Sequence, residues 1–191
     1  MNAYRKQLFM LCLVLILMLL SRAGWQAHMV LHMAGQLPLL VILGGLFALS
    51  QRREHAGLFS WGRRYRTSLL LFALFTLSLW MLPRLLDGAL HQWDIALLKW
   101  LSLPLAGAAL VLCWQHLPVI LRAVLHLEAI ATLLRLGWLY LLAPQRYCVS
   151  YGLDEQQQLA YVLLGYGIVY AAWLGARVML GQDHPRPAAS E

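Results

Sequence analysis

Along this chain, long apolar runs alternate with short polar breaks rich in arginine. Six runs stand out, at residues 7–23, 27–49, 67–84, 94–113, 123–143 and 156–180. An α-helix rises about 1.5 Å per residue, so roughly 20 apolar residues cross the hydrocarbon core of a bilayer. Each run approaches that length. The pattern predicts an all-α, polytopic transmembrane bundle of about six helices, with residues 1–180 as one membrane domain and 181–191 as a short polar tail. The first run is the shortest, and the flanking "MNAYRKQ" and "SRA" also fit a secretory signal peptide. A retained anchor is the expectation adopted for it.

Composition strengthens this picture. Of 191 residues, 61% are hydrophobic and 12% charged, with a mean hydropathy of +0.65. Soluble domains carry about 25% charged residues, so much of this surface must be solvated by lipid. The net charge of +7 would suit a nucleic-acid partner, but its placement argues otherwise. With the N-terminus inside, ten Lys/Arg fall on the cytoplasmic side: Arg5, Lys6, Arg52, Arg53, Arg63, Arg64, Arg66, Arg122, Arg177 and Arg186. Only Arg22, Arg84 and Arg146 fall outside. This asymmetry sets an N-in, C-in topology.

Several features inside the runs bear on packing. Pro38 and Pro104 each remove a backbone donor and are expected to interrupt the second and fourth helices. Gly167, Ala171 and Gly175 repeat every four residues, a small-residue face that admits close helix packing. Glu128 and Arg135, seven apart in the fifth run, share a face and are expected to point into the bundle or snorkel, with a structural polar pairing that involves backbone carbonyls as the modest reading. Cys12, Cys113 and Cys148 follow neither a disulfide nor a metal spacing.

The chemistry concentrates in "AHMVLHMAGQLPLLVILGG". His28 and His32 stand one helical turn apart near the outer end of the second helix, with Met29 and Met33 on an adjacent stripe. Two imidazoles on consecutive turns can share a metal ion, and thioethers suit Cu(I). Helix-end histidines also serve simply as hydrogen-bonding groups to headgroups or loops. Heme ligation would need a histidine from another helix. On the same outer side fall Met81 and His91, candidate third ligands, together with Gln156 and Gln157. His55, His116, His126 and His184 belong to the opposite side. Nucleotide-binding loops, nucleophile elbows and zinc-protease motifs are missing from the sequence, so an enzyme reading finds no support.

Four blocks between Ala27 and about Tyr170 add a likeness: "HMVLHMAGQLPLLVILG", "LSLWMLPRLLDGAL", "LLKWLSLPLAGAALVLCW" and "YGLDEQQQLAYVLLGYG". In order, they resemble the His-Met-x-Gln-His-Met, Trp-His-x-Pro, Leu-Glu-His and Glu-Asp-Gln-Gln blocks of the CtaG-like assembly factors of copper-containing cytochrome c oxidases. The resemblance implies a multi-pass protein of the bacterial inner membrane that binds or delivers copper at the periplasmic face. It implies His28 and His32 as ligands, with Gln156 and Gln157 lining the site. Its expected partner is an oxidase subunit or a copper chaperone.

This chain departs from the family pattern by carrying Met81 in place of one histidine and Lys99–Trp100 in place of Glu-His. Methionine preserves Cu(I) chemistry. A lysine beside a metal is repulsive, and Lys99 is expected to snorkel outward to the headgroups. Two functions follow: a copper-related oxidase assembly factor, or a metal-free accessory or scaffold protein bound to an oxidase or another membrane complex. A heme protein or transporter is a third class that six helices permit.

Overall fold

The computed structural model describes residues 28–51, 56–143 and 150–180. The first predicted span at 7–23, Cys12, His55, Cys148 and the tail at 181–191 lie outside the described residues. Every regular element among the described residues is helical. We label them α1 (Leu31–Ser50), α2 (Ala56–Arg64), α3 (Arg66–Trp80), α4 (Pro83–His91), α5 (Trp93–Trp114), α6 (Val119–Leu142) and α7 (Leu153–Met179).

Three of these, α1, α5 and α7, are long and apolar enough to cross a membrane. The pair α3 and α4 would make a fourth crossing if taken together, although it bends by 74° at its break. That bend corrects the expectation of one straight helix over 67–84. Pro83 opens α4, and Leu82 before it is extended, as a residue preceding proline must be to avoid the ring. His91, expected in a loop, therefore closes a helix instead. The 24-residue α6 carries Arg122, Glu128 and Arg135 and is not among the membrane-crossing candidates.

Pro38 does not interrupt α1. The first six residues, Leu31–Gln36, form a wider π-turn, and Pro38 follows in the first turn of regular α-helix. There its missing N–H matters least, and a π-turn is a common way to absorb a local irregularity. Pro104 is likewise carried inside α5.

Helices α1 and α5 lie side by side at backbone contact. A Cβ on Gly44 would collide with the Pro104 backbone, and one on Gly107 with the Val41 backbone. Register advances together along both helices, from His32 beside Lys99 to Gly44 beside Pro104, so they run parallel. Against them pack α3, where Trp80 Nε1 donates to Ser102 Oγ at 2.8 Å, and the short α4. Leu37, Leu40, Trp80, Leu86 and Leu103 fill this half of the core.

The second half is the antiparallel hairpin of α6 and α7. Gly137 packs against Ala160 and Leu164, and Gly167 against Leu133 and Leu134. Gly167 thus uses the small-residue face internally, whereas Gly175 has open space around it. The two halves meet at both ends. At one end Met29 of the turn entering α1 is buried among Tyr140, Tyr151 and Leu159. At the other, Leu117 and Cys113 pack on Leu121 and Leu125, and the Trp114 and His126 rings meet edge to face.

Glu128 and Arg135 form the polar pairing read from the sequence, with Arg135 Nε also donating to the Ala131 carbonyl at 3.2 Å, but they do so outside the bundle. Arg135 Nη2 donates to Glu128 Oε1 at 2.6 Å, and both side chains face outward from α6.

Candidate functional site

The end of the bundle where α1 begins gathers most of the residues singled out by the sequence. They do not act as one group. His28 sits at the mouth of the helix with its side chain largely exposed, and its Nδ1 lies 3.2 Å from Glu155 Oε1 at the start of α7. His32, one turn further in, has no exposed surface. The outermost turn of a helix is covered only from the side, while the next is closed by neighbours all round. Spacing equates the two histidines; depth separates them.

His32 is held at both ring nitrogens. Nε2 lies 3.0 Å from Lys99 Nζ, and Nδ1 lies 3.0 Å from the Tyr151 hydroxyl. Lys99 Nζ also donates to Gln36 Oε1 at 3.0 Å. Because an ammonium only donates, Nε2 accepts, and the network then assigns the ring proton to Nδ1, donating to Tyr151. The resulting order is Lys99 to His32 to Tyr151, with Gln36 as the second acceptor.

Lys99 therefore does not snorkel. Its side chain is fully buried, as is that of His32, and the close approach of α1 and α5 places the two opposite each other. A buried ammonium needs acceptors in place of water, and the α1 stripe of His32 and Gln36, four residues apart, supplies them. The Gln36 amide is turned with its oxygen to the lysine, which leaves Nε2 buried without a hydrogen-bond partner.

The remaining candidates are spread out. Met29 is fully buried in the apolar cluster beside Tyr151, and Met33 packs half-buried between the two halves of the core. Met81 is exposed at the bend between α3 and α4. His91 is exposed, with Nδ1 on the Asp87 carbonyl at 3.0 Å. Gln156 is buried and donates to the Tyr140 carbonyl at 3.3 Å, while Gln157 is exposed. His126 forms a separate pair with the Tyr170 hydroxyl at 2.6 Å.

These positions do not fit a copper centre as they stand. A metal–imidazole bond spans about 2.0–2.1 Å along the nitrogen lone pair, and on His32 that lone pair is taken by a cationic donor. Among the described residues, no three His, Cys, Asp or Glu side chains are grouped to hold a metal ion.

Two members of the cluster, Gln36 and Tyr151, were missed in the sequence, and Lys99 was considered beside the site but expected to turn outward. Lys99 carried a signal, since a lone charge within an apolar run tends to face the protein interior. Gln36 carried a weaker one, as the next polar step in the series His28, His32, Gln36. Tyr151 carried none. Compared with protein-family models, with curated proteins and with solved structures, the chain matches none.

Proposed function

We propose that this chain is a multi-pass protein of the bacterial inner membrane, with six spans and both termini cytoplasmic, that works as a metal-free accessory or scaffold protein. Its partner is a respiratory oxidase or another membrane complex, the choice suggested by the resemblance of its four sequence blocks to oxidase assembly factors. The Lys/Arg asymmetry supports the topology.

One observation carries the metal-free part. Lys99 Nζ contacts His32 Nε2 at 3.0 Å in a fully buried setting. A positive charge built into the protein stands against the histidine that a transferred cation would use, and it repels a second cation at that distance. The buried polar network then serves to fix how α1, α5 and the entry to α7 join, a specifying role known for some buried polar groups. The external end of the bundle is thereby held in one shape for a partner to recognise.

Purification in mild detergent under reducing conditions, with copper assay and identification of co-purifying proteins, tests this. The expected result is no stoichiometric copper and a stable membrane complex carried along. Stoichiometric copper that disappears in a His28→Ala/His32→Ala double variant would overturn the reading and put copper delivery in its place.

A further inference from the structure

The outer face of α6 carries a pattern that the bundle itself does not use. Val124, Glu128, Ala131, Arg135, Trp138 and Leu142 are spaced alternately four and three residues apart. On an α-helix this spacing lines up one narrow seam, as in a left-handed helix pair. The residues that pack on α7, among them Ile130, Gly137 and Tyr140, lie on the opposite side. The seam is outward-facing: Val124 is 52%, Trp138 59% and Leu142 62% exposed. In its middle stands the Glu128–Arg135 pair, with Thr132 Oγ1 adding a 3.3 Å bond to the same Glu128 oxygen.

An ion pair halfway along a 24-residue helix, presented outward, is poorly placed against acyl chains. It needs a covering surface that offers both signs of charge. The apolar stretch at residues 8–20 of this chain contains no charged residue and cannot supply one. A second copy supplies both, each seven residues along the helix from the group it would pair with.

We propose that two copies of this chain dock through this α6 seam, with Arg135 of each copy paired to Glu128 of the other. The Lys/Arg asymmetry gives all copies one orientation, so the two helices run parallel about a twofold axis along the membrane normal. Arg135 already reaches Glu128 across two helical turns within one chain. Exchanging partners across a close helix contact asks for a similar reach. Ala131, the small residue between them, sits where the helices come nearest. This inference rests on the proposed six-span reading, in which α6 crosses the membrane, and not on whether the buried His32 cluster is metal-free.

The test uses full-length protein in native membranes, with Cys12→Ser, Cys113→Ala and Cys148→Ser removing the background thiols. Single cysteines placed at Val124, Ala131 or Leu142 are expected to cross-link into a band of twice the monomer mass on mild oxidation. A cysteine at Ile168, exposed on α7, is expected not to. Charge complementation then reads the exchanged pairs. With Ala131→Cys present, Glu128→Arg alone and Arg135→Glu alone are each expected to lose the cross-link, and co-expressing the two is expected to restore it as the mixed dimer. Neither variant retains an internal pair, so rescue reports contact between chains. Absence of the dimer band from every seam position in the otherwise native protein, equal cross-linking at Ile168, or a cross-linked band of another mass would each overturn the proposal.

Discussion

Lys99 Nζ lies 3.0 Å from His32 Nε2, and neither side chain has any surface open to solvent. Two helices are thus joined by residues 67 apart in sequence, a cation on one and a lone pair on the other. Burial of a charge is expensive unless every donor is met, so the consequences of breaking the contact depend on which partner is removed.

Removing the acceptor is the worse loss. His32→Ala leaves a buried ammonium facing a void, and a cost of about 3 kcal/mol or more is expected, in the range for stranding a buried charge. Lys99→Met removes the charge itself and leaves only neutral acceptors behind, at about 1–3 kcal/mol. Thermal unfolding in detergent should rank His32→Ala below Lys99→Met. The reverse order would mean that the lysine does not depend on the imidazole.

The two histidines should separate sharply. His28 is mostly exposed and meets Glu155 at the surface, a kind of contact worth about 0–1 kcal/mol. His28→Ala is expected to leave the melting temperature nearly unchanged beside the large shift for His32→Ala. Comparable losses would show that the entry to α1 is closed more tightly than its exposure indicates.

Tyr151→Phe removes the hydroxyl that takes the His32 Nδ1 proton. A loss of about 0.5–1.5 kcal/mol is expected, the net worth of one hydrogen bond, plus a penalty for the stranded N–H. Unfolding measured in parallel for Tyr151→Phe and for Tyr151→Phe in the His32→Ala background checks it. The tyrosine change should cost little once the histidine is gone.

Gly44→Leu and Gly107→Leu test the helix contact that makes the cluster possible. Each side chain would enter the backbone of the opposing helix, where close-packed interiors have no room to yield. Both variants are expected to unfold at much lower temperature or fail to accumulate. Gly175→Leu, with open space around it, is expected to behave as wild type.

Lys99→His removes the competing cation and offers a second imidazole beside His32. If the ammonium is what keeps a metal away, this variant should gain Cu(I) affinity, read by competition against a colorimetric chelator under reducing conditions. No gain over wild type would mean that the pocket geometry, rather than the charge, sets the preference.

How much of this was legible in the sequence differs from one feature to the next. The helical architecture was, because a low charged fraction and runs of about 20 apolar residues leave lipid-facing helices as the economical solution. The blocks "HMVLHM" and "YGLDEQQQ" come together through His28–Glu155 and His32–Tyr151. Met81 and His91 were placed at the same end but proved exposed rather than convergent with His32.

The sequence by itself determined periodicity: which stretches are helical, which breaks bear arginine, and that His28 and His32 fall one turn apart. Periodicity says nothing of how deep a turn lies or what stands across from it. Only the tertiary structure decided that His28 is open and His32 sealed, that Lys99 turns inward to meet it, and that Glu128 and Arg135 turn outward. Those outcomes depend on the glycine contacts that set the register of α1 against α5, and on which side of α6 the α7 helix occupies. Both are relations between segments distant along the chain.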